Sequence, residues 1–393
     1  MILSHRIQLK PTKQQLVYLV KACGTARFTW NWALATWQSQ YASGLKPNSR
    51  SLQAQFNKIK YQQFPWLKEI HRDAHARPFT NLWKAFKRFF SKKARHPKFK
   101  KKGTHDSFYV SNDRFWVRGN IIRLPVLGTV KATETLRLQG KIMGAVVSRS
   151  ADRWFISISV DVGDLKKQRI SDNTLGVDVG LKTAVVTSDG QTFQFPKPLK
   201  SYLKKLQRAS RRHSRKVAGS QNRRKEARKL AKIYWRAANS RKDFLHKIST
   251  KLCRENQAVV IEDLDVENMM RNKNFSSAIC DASWSELRRQ LEYKSKLYDA
   301  KLIVAPQFYP SSKTCSSCGA VRKDLTLAER VFRCRSCGLT IDRDLNAAKN
   351  LCTLGLRGTD ACGHSTSTGS SEELPASWVG EAGTKPCALV STY

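Results

Sequence analysis

The spacing of apolar residues changes period several times along this chain, and each change marks an element. Ile2 to Leu9 alternate and predict a strand, after which Pro11-Thr-Lys-Gln opens a helix. The helical period then runs to about residue 95. Leu19, Phe28, Trp32 and Leu34 lie in apolar, aromatic-rich segments; Phe79, Leu82, Trp83, Phe86, Phe89 and Phe90 recur at helical spacing, with Arg77, Asn81, Lys84 and Arg88 on the other face. The aromatic stripe is expected to be core. Lys92 to Gly103 is a basic linker broken by Pro97, and beyond it the period becomes two. Ser107–Tyr109, Phe115–Arg118, Ile121–Leu124, Lys141–Ser148 and Trp154–Val160 read as short strands of a small barrel or sheet. If Ile2–Leu9 belongs with them, the helical segment interrupts that β-domain.

The second half opens with Thr174-Leu-Gly-Val-Asp178-Val-Gly180-Leu-Lys-Thr-Ala-Val-Val186, an apolar, β-branched stretch around a single carboxylate. The turn Ser188-Asp-Gly190 then leads to a second strand, Gln191 to Phe195. Charge is depleted in strands and costly to bury, so Asp178 faces solvent, ends the strand, or is held for a cation. From Lys200 to about Cys253 the pattern is helical and strongly basic, with Gly219-Ser220 suggesting a hairpin. Gln257-Ala-Val-Val-Ile-Glu262-Asp-Leu-Asp265 is a nearly continuous apolar strand ending in acids, the composition of a strand buried on both faces. A helix around Trp284–Leu297 and a strand at Lys301–Pro306 follow. Asp342 or its neighbour should cap a helix carrying Ala347 and Ala348. From Cys352 the composition turns to Gly, Ser, Thr and Pro, and disorder is expected.

Charge narrows the choice of partner. The 393 residues carry a formal net charge of +42 with 40% hydrophobic composition, enough apolar residues for two or three domains. Such an excess repels itself unless a polyanion neutralises it, which points to nucleic acid. The basic helices are therefore expected to meet phosphates, and Arg77, Asn81 and Lys84 are candidates for contacting nucleic acid. A membrane is disfavoured: no run approaches the roughly 18 apolar residues of a spanning helix. The first residues lack a secretory layout, so a cytoplasmic, nucleoid-associated chain is expected.

Of the ten cysteines, Cys315, Cys318, Cys334 and Cys337 form Cys-x2-Cys-x15-Cys-x2-Cys, with Gly319 and Gly338 directly after the pairs. The spacing predicts one structural zinc; four thiolates would leave no position open for catalysis. Asp178, Glu262 and Asp344 form a separate ordered set. Phosphodiester hydrolysis uses hard oxygen ligands that hold two Mg²⁺ or Mn²⁺ ions about 4 Å apart. An RNase H-like sheet would bring such distant acids together.

The succession Gly-Val-Asp178-Val-Gly, Val-Ile-Glu262-Asp-Leu, Ser311-Ser-Lys-Thr-Cys315-Ser-Ser-Cys318-Gly, Cys334-Arg-Ser-Cys337-Gly and Asp342-Arg-Asp344-Leu-Asn346-Ala-Ala resembles the TnpB family, transposon-encoded proteins related to type V CRISPR effectors. The match covers roughly residues 172 to 352, with a looser one in the first 165. His96 departs from the family's pattern, where glycine is expected.

The resemblance implies an α/β, RNase H-like (RuvC) nuclease domain at residues 169–311 and 339–352 with an inserted zinc-binding module at 312–338. Before it would come a β-barrel domain at 1–20 and 96–168, interrupted by a helical recognition domain at 21–95, and after it a disordered tail at 353–393. The implied activity is RNA-guided cleavage of double-stranded DNA beside a short target-adjacent motif. A monomer would hold a guide RNA from the transposon end. Asp178, Glu262 and Asp344 match the family's magnesium-binding acids, with Asp342 the runner-up for the third. A DNA-strand-transferring transposase is the competing enzyme class, disfavoured because its acids usually run Asp, Asp, Glu. A catalytically silent nucleic-acid-binding regulator is the third reading, against which all three acids are present.

Overall fold

The computed structural model describes residues 1–164, 167–196, 198–326 and 328–360, with the side chains of 198–201 and 358–360 left aside. These fall into two compact units that divide after Asp164.

The first unit begins with β1 (Ile2–Lys10) and α1 (Lys13–Ala42), continues through α2 (Ser49–Gln63) and α3 (Arg72–Phe90), and closes with β2 (Ser107–Val110), β3 (Trp116–Arg118), β4 (Ile121–Leu124), β5 (Gly128–Ala132), β6 (Lys141–Ser150) and β7 (Arg153–Asp161). The seven strands form one sheet in the order β2-β6-β7-β1-β5-β4-β3, so the first strand of the chain is the central one. β5 had no alternating signal strong enough to predict it. It is placed by pairing with β4 and with the end of β1.

Thr12 caps α1 in a reciprocal box with Gln15, which explains the sharp start after Pro11. α1 then runs unbroken across the boundary expected between residues 20 and 21. The division lies along the helix instead: Leu19, Ala22, Cys23 and Ala26 join the sheet's core, whereas Trp30, Ala33, Leu34 and Trp37 join a second core with Phe56, Phe79, Leu82 and Phe86. The expected aromatic stripe is only partly core. Trp83 is 41% and Phe90 60% exposed, because each sits at the margin of the face that α1 covers. His96 sets its ring edge-on against Phe86 and Phe89, giving the side chain at this position a packing role.

The second unit holds β8 (Thr174–Val179), β9 (Val185–Thr187), β10 (Thr192–Phe193), α4 (Pro198–Ser214), α5 (Gln221–Glu255), β11 (Ala258–Ile261), α6 (Val266–Met269), α7 (Ser276–Ala282), α8 (Trp284–Tyr298), β12 (Lys301–Val304), β13 (Val331–Arg333), β14 (Thr340–Asp342) and α9 (Arg343–Asp360). Its main sheet has the order β10-β9-β8-β11-β12. β8, β11 and β12 are parallel, and β9 runs antiparallel to both of its neighbours, β8 and β10.

Two expectations are corrected here. Residues 174–186 are not one strand: the Gly180 N–H reaches the Ala184 carbonyl at 3.3 Å and the chain turns back between β8 and β9. Asp178 therefore sits one residue from a strand end. The region from 353 is helical through Asp360, because Gly355 lets α9 lie against Val260, Thr174 and Ile303. The remainder of the expected disordered tail lies outside the described residues.

α9 crosses β8 at very short range. A Cβ on Gly176 would stand 1.9 Å from the Ala348 carbonyl oxygen and 2.5 Å from the Cys352 nitrogen, backbone atoms that cannot swing aside. Gly176→Ala is therefore expected to lower the unfolding free energy by about 1–3 kcal/mol, the usual scale of overpacking. Gly24→Ala, inside α1 with only the Arg27 side chain 3.7 Å away, should instead stabilise by about 0.5–1 kcal/mol. Chemical denaturation of the two variants checks the opposite signs.

Candidate functional site

Gly176 fixes more than packing. The Cys352 thiol donates to the Thr174 carbonyl at 3.2 Å, and Ala348 lies over Gly176. Four helical residues rise about 6 Å and two strand residues about 6.6 Å. The pairing of Cys352 with Thr174 and Ala348 with Gly176 therefore continues one step further, to Asp344 over Asp178. On the neighbouring strand Ile261 is the partner of Val177, so Glu262 follows Ile261 as Asp178 follows Val177. Neighbouring residues in register point to the same face. Three acids from β8, the end of β11 and the first turn of α9 thus converge where the parallel strands end.

Their environment is strongly unfavourable for three negative charges. Burial, and then the charges of Glu262 and Asp344, push the Asp178 carboxyl well above its usual range, with Arg343 opposing. Burial also raises Glu262, against the Ser311 hydroxyl that stabilises its ionised form, and Asp344 adds repulsion. Both residues nevertheless keep part of their surface open. Hard oxygen donors on one face of the sheet end, short of solvent and repelling one another, fit a divalent cation. Asp342 is engaged differently: its Oδ1 accepts from the backbone N–H groups of Asp344 at 2.9 Å and Leu345 at 3.0 Å, capping α9.

The four cysteines form a second centre. Their sulfur atoms lie within 4.8 Å of one another, the only set of three or more potential metal ligands gathered this closely among the described residues. Cys315 and Cys337 are 3.6 Å apart and Cys318 and Cys334 3.5 Å. A tetrahedral zinc with bonds of 2.3 Å puts sulfurs about 3.8 Å apart, so the cage is consistent with one structural zinc. Both knuckles repeat one turn: Gly319 N–H reaches the Cys315 carbonyl at 3.0 Å and Gly338 N–H the Cys334 carbonyl at 3.1 Å. Each glycine has a φ near +77°, at +78° and +76°, which disfavours any side chain. Backbone N–H groups of Cys337 and Ser336 bring the Cys334 thiol down to about 6. The hairpin of β13 and β14 closes the module around Phe332, and β14 runs directly into α9.

Family models match three stretches of the chain: a "Probable transposase" model at residues 157–273, a Cas12f1-like TNB domain at 284–351 and a helix-turn-helix domain at 1–46. A "Putative RNA-guided DNA endonuclease" of Streptomyces pristinaespiralis is 34% identical over 368 residues, covering 90% of this chain and 89% of the relative. InsQ of Escherichia coli, named in the same words, is 31% identical over 382 residues, covering 93% and 94%. The chain belongs to the TnpB family. A Cas12f1–sgRNA–target DNA complex shares the fold at 15% identity, with a TM-score of 0.55 over 86% of this chain and 82% of that one.

In this TnpB chain the stretch matched as helix-turn-helix contains β1 and the whole of the continuous helix α1. No helix among the described residues is long and apolar enough to cross a membrane. Arg77, Asn81 and Lys84 share one face of α3 and are half-buried; the Arg77 guanidinium stacks over Tyr109 at 4.3 Å. Burial and then the Arg77 charge lower the Lys84 ammonium. Residue chemistry alone missed Ser311, whose hydroxyl donates to Glu262, and Arg343 beside Asp178. It also passed over what Asn346 and Asn350 do, although two amides four residues apart in an alanine-bearing helix were a usable signal.

For the cysteine centre, the purified TnpB chain is expected to carry about one zinc, measured by elemental analysis. Cys334→Ser should reduce the content several-fold and make the segment from Cys315 to Ile341 sensitive to proteolysis.

Proposed function

We propose that this chain is an RNA-guided DNA endonuclease that hydrolyses phosphodiester bonds at Asp178, Glu262 and Asp344. The observation that carries the reading is the convergence of the three carboxylates at the end of the parallel strands, each held there against its neighbours' charge. The sheet, a β8-β9-β10 antiparallel meander with β11 and β12 parallel to β8 on its other side, supports an RNase H-like, RuvC-type domain. Two Mg²⁺ or Mn²⁺ ions held by these acids would supply an activated water and stabilisation of the leaving oxygen.

The chain's own groups account for other parts of the activity. On α4 and α5, Lys204, Lys205, Arg208, Arg211, Arg224 and Lys225 are exposed, while Glu226 pairs with Arg212 and Lys229. Such an excess suits contact with the backbones of a guide RNA and a guide–target duplex, where base pairing rather than protein contact carries the sequence. The first unit, with its sheet and aromatic-cored helices, would hold the guide and the target-adjacent motif. Arg77, Asn81 and Lys84 remain its candidate DNA contacts. The cysteine module would face nucleic acid near the acids.

The transposase description attached to one family model favours a second reading, strand transfer. The acid order Asp, Glu, Asp and the relatives' endonuclease names support hydrolysis instead. The discriminating experiment is cleavage of a plasmid carrying the target and its adjacent motif, with guide RNA and Mg²⁺. Linear product is expected from the unaltered protein. A loss of about 10²–10³-fold or more is expected in Asp178→Ala, the scale of losing a group that stabilises transition-state charge. Undiminished cutting by that variant, or joined strands in place of cut ones, would overturn the assignment.

A further inference from the structure

Glu262 stands one residue beyond β11, and its carboxylate has a single hydrogen bond among the described residues: Ser311 Oγ donates to Glu262 Oε1. A serine hydroxyl has one proton to give, so this bond fixes the rotation of both groups. Ser311 is 3% exposed, with little room to choose another partner.

Ser311 is itself held from the opposite side. The side-chain amide of Asn350 donates to the Ser311 carbonyl at 2.7 Å and to the Thr314 carbonyl at 2.6 Å. One turn earlier on α9, Asn346 donates to the same Thr314 carbonyl at 2.7 Å. Its Oδ1 accepts from the Ser316 backbone N–H at 3.0 Å. Asn346 is fully buried and Asn350 only 5% exposed. Buried amides are costly unless satisfied, and here they are satisfied by the turn segment that leads into the first cysteine knuckle. Ser316 lies between Cys315 and Cys318. A continuous bonded path therefore runs from the knuckle through Asn346 and Asn350 to Ser311 and on to Glu262.

We propose that Ser311 is the positioning residue of Glu262, and that the Asn346–Asn350 pair docks the first cysteine knuckle onto α9 so that this serine stays in place. The inference rests on the reading of Glu262 as a cation ligand. Oε1 accepts from the hydroxyl, which leaves Oε2 without a hydrogen bond among the described residues and available as a ligand atom. The cysteine module then has a role beyond its own fold: its docking sets the affinity of the carboxylate site for a divalent cation.

The test is calorimetric titration of Mn²⁺ into the full-length, zinc-loaded protein, comparing the unaltered chain with Ser311→Ala and Ser311→Thr, alongside plasmid cleavage at varied Mn²⁺. Ser311→Ala is expected to weaken Mn²⁺ binding about tenfold, the scale of a hydrogen bond to a charged group. Its cleavage should need correspondingly more Mn²⁺ while reaching a similar maximal rate. Ser311→Thr, which keeps the hydroxyl, should recover most of the affinity; equal zinc content and melting temperature keep a packing defect from imitating the result. Unchanged Mn²⁺ affinity in Ser311→Ala overturns the proposal, as does an equal loss in Ser311→Thr at an unchanged melting temperature. The endonuclease reading fails separately: Ser311-dependent Mn²⁺ binding in a protein that cuts no DNA removes the activity and leaves the positioning role intact. An unaltered chain that binds no Mn²⁺ removes both.

Discussion

The close approach of α9 to β8 is the constraint on which the second unit depends. Only a glycine at position 176 allows the Ala348 carbonyl and the Cys352 nitrogen to come so near the strand, and Gly355 gives the same freedom over Val260 and Thr174. Two contacts along one helix determine both its height and its position along the sheet. The near match between one helical turn and two strand residues then carries that register forward to Asp344 and Asp178. Without the glycines the acids would still be present in the sequence, but the third would stand at the wrong height.

The same geometry explains how an otherwise unfavourable cluster is maintained. Burial and neighbouring acids raise the proton affinity of Asp178 and Glu262, which opposes the packing that brings the acids together, and the rest of the structure must supply the difference. α9 does so along its length: Asp342 caps its start, Ala347, Ala348 and Leu351 are buried, and Asn346 and Asn350 bind the turn segment entering the cysteine module. β14 of that module leads into the helix, so the sulfur cage braces the end of α9 that bears Asp344. A cation among the acids would turn their repulsion into attraction.

Much of this was readable beforehand, and the gaps have physical causes. The acids were visible because a carboxylate stands out in an apolar strand, and the cysteines because tetrahedral ligation imposes close pairs. The order in which the strands assemble was less legible. In Gly180-Leu-Lys-Thr-Ala184 the return depends on the glycine, since a Cβ there would stand 2.8 Å from the Thr183 carbonyl oxygen, but a lone glycine in an apolar stretch reads equally as part of a continuing strand until that neighbour is known. β5 escaped notice because pairing with β1 and β4, more than its own pattern, makes it a strand. The last turns of α9 read as tail because the composition from Cys352 turns to Gly, Ser, Thr and Pro, and the packing that Gly355 allows is not visible in the sequence. Ser311 could not be assigned a role from residue chemistry, because a serine's meaning depends on which carboxylate it faces.

The central claim is that the helix-to-strand register gathers Asp178, Glu262 and Asp344 around divalent cations. Anomalous diffraction at the manganese edge, from crystals of the full-length protein grown with Mn²⁺, tests it most directly. The account predicts manganese peaks at the ends of β8 and β11, with all three carboxylates among the ligands. Peaks that exclude Asp344, or well-ordered acids with no manganese among them, would contradict it.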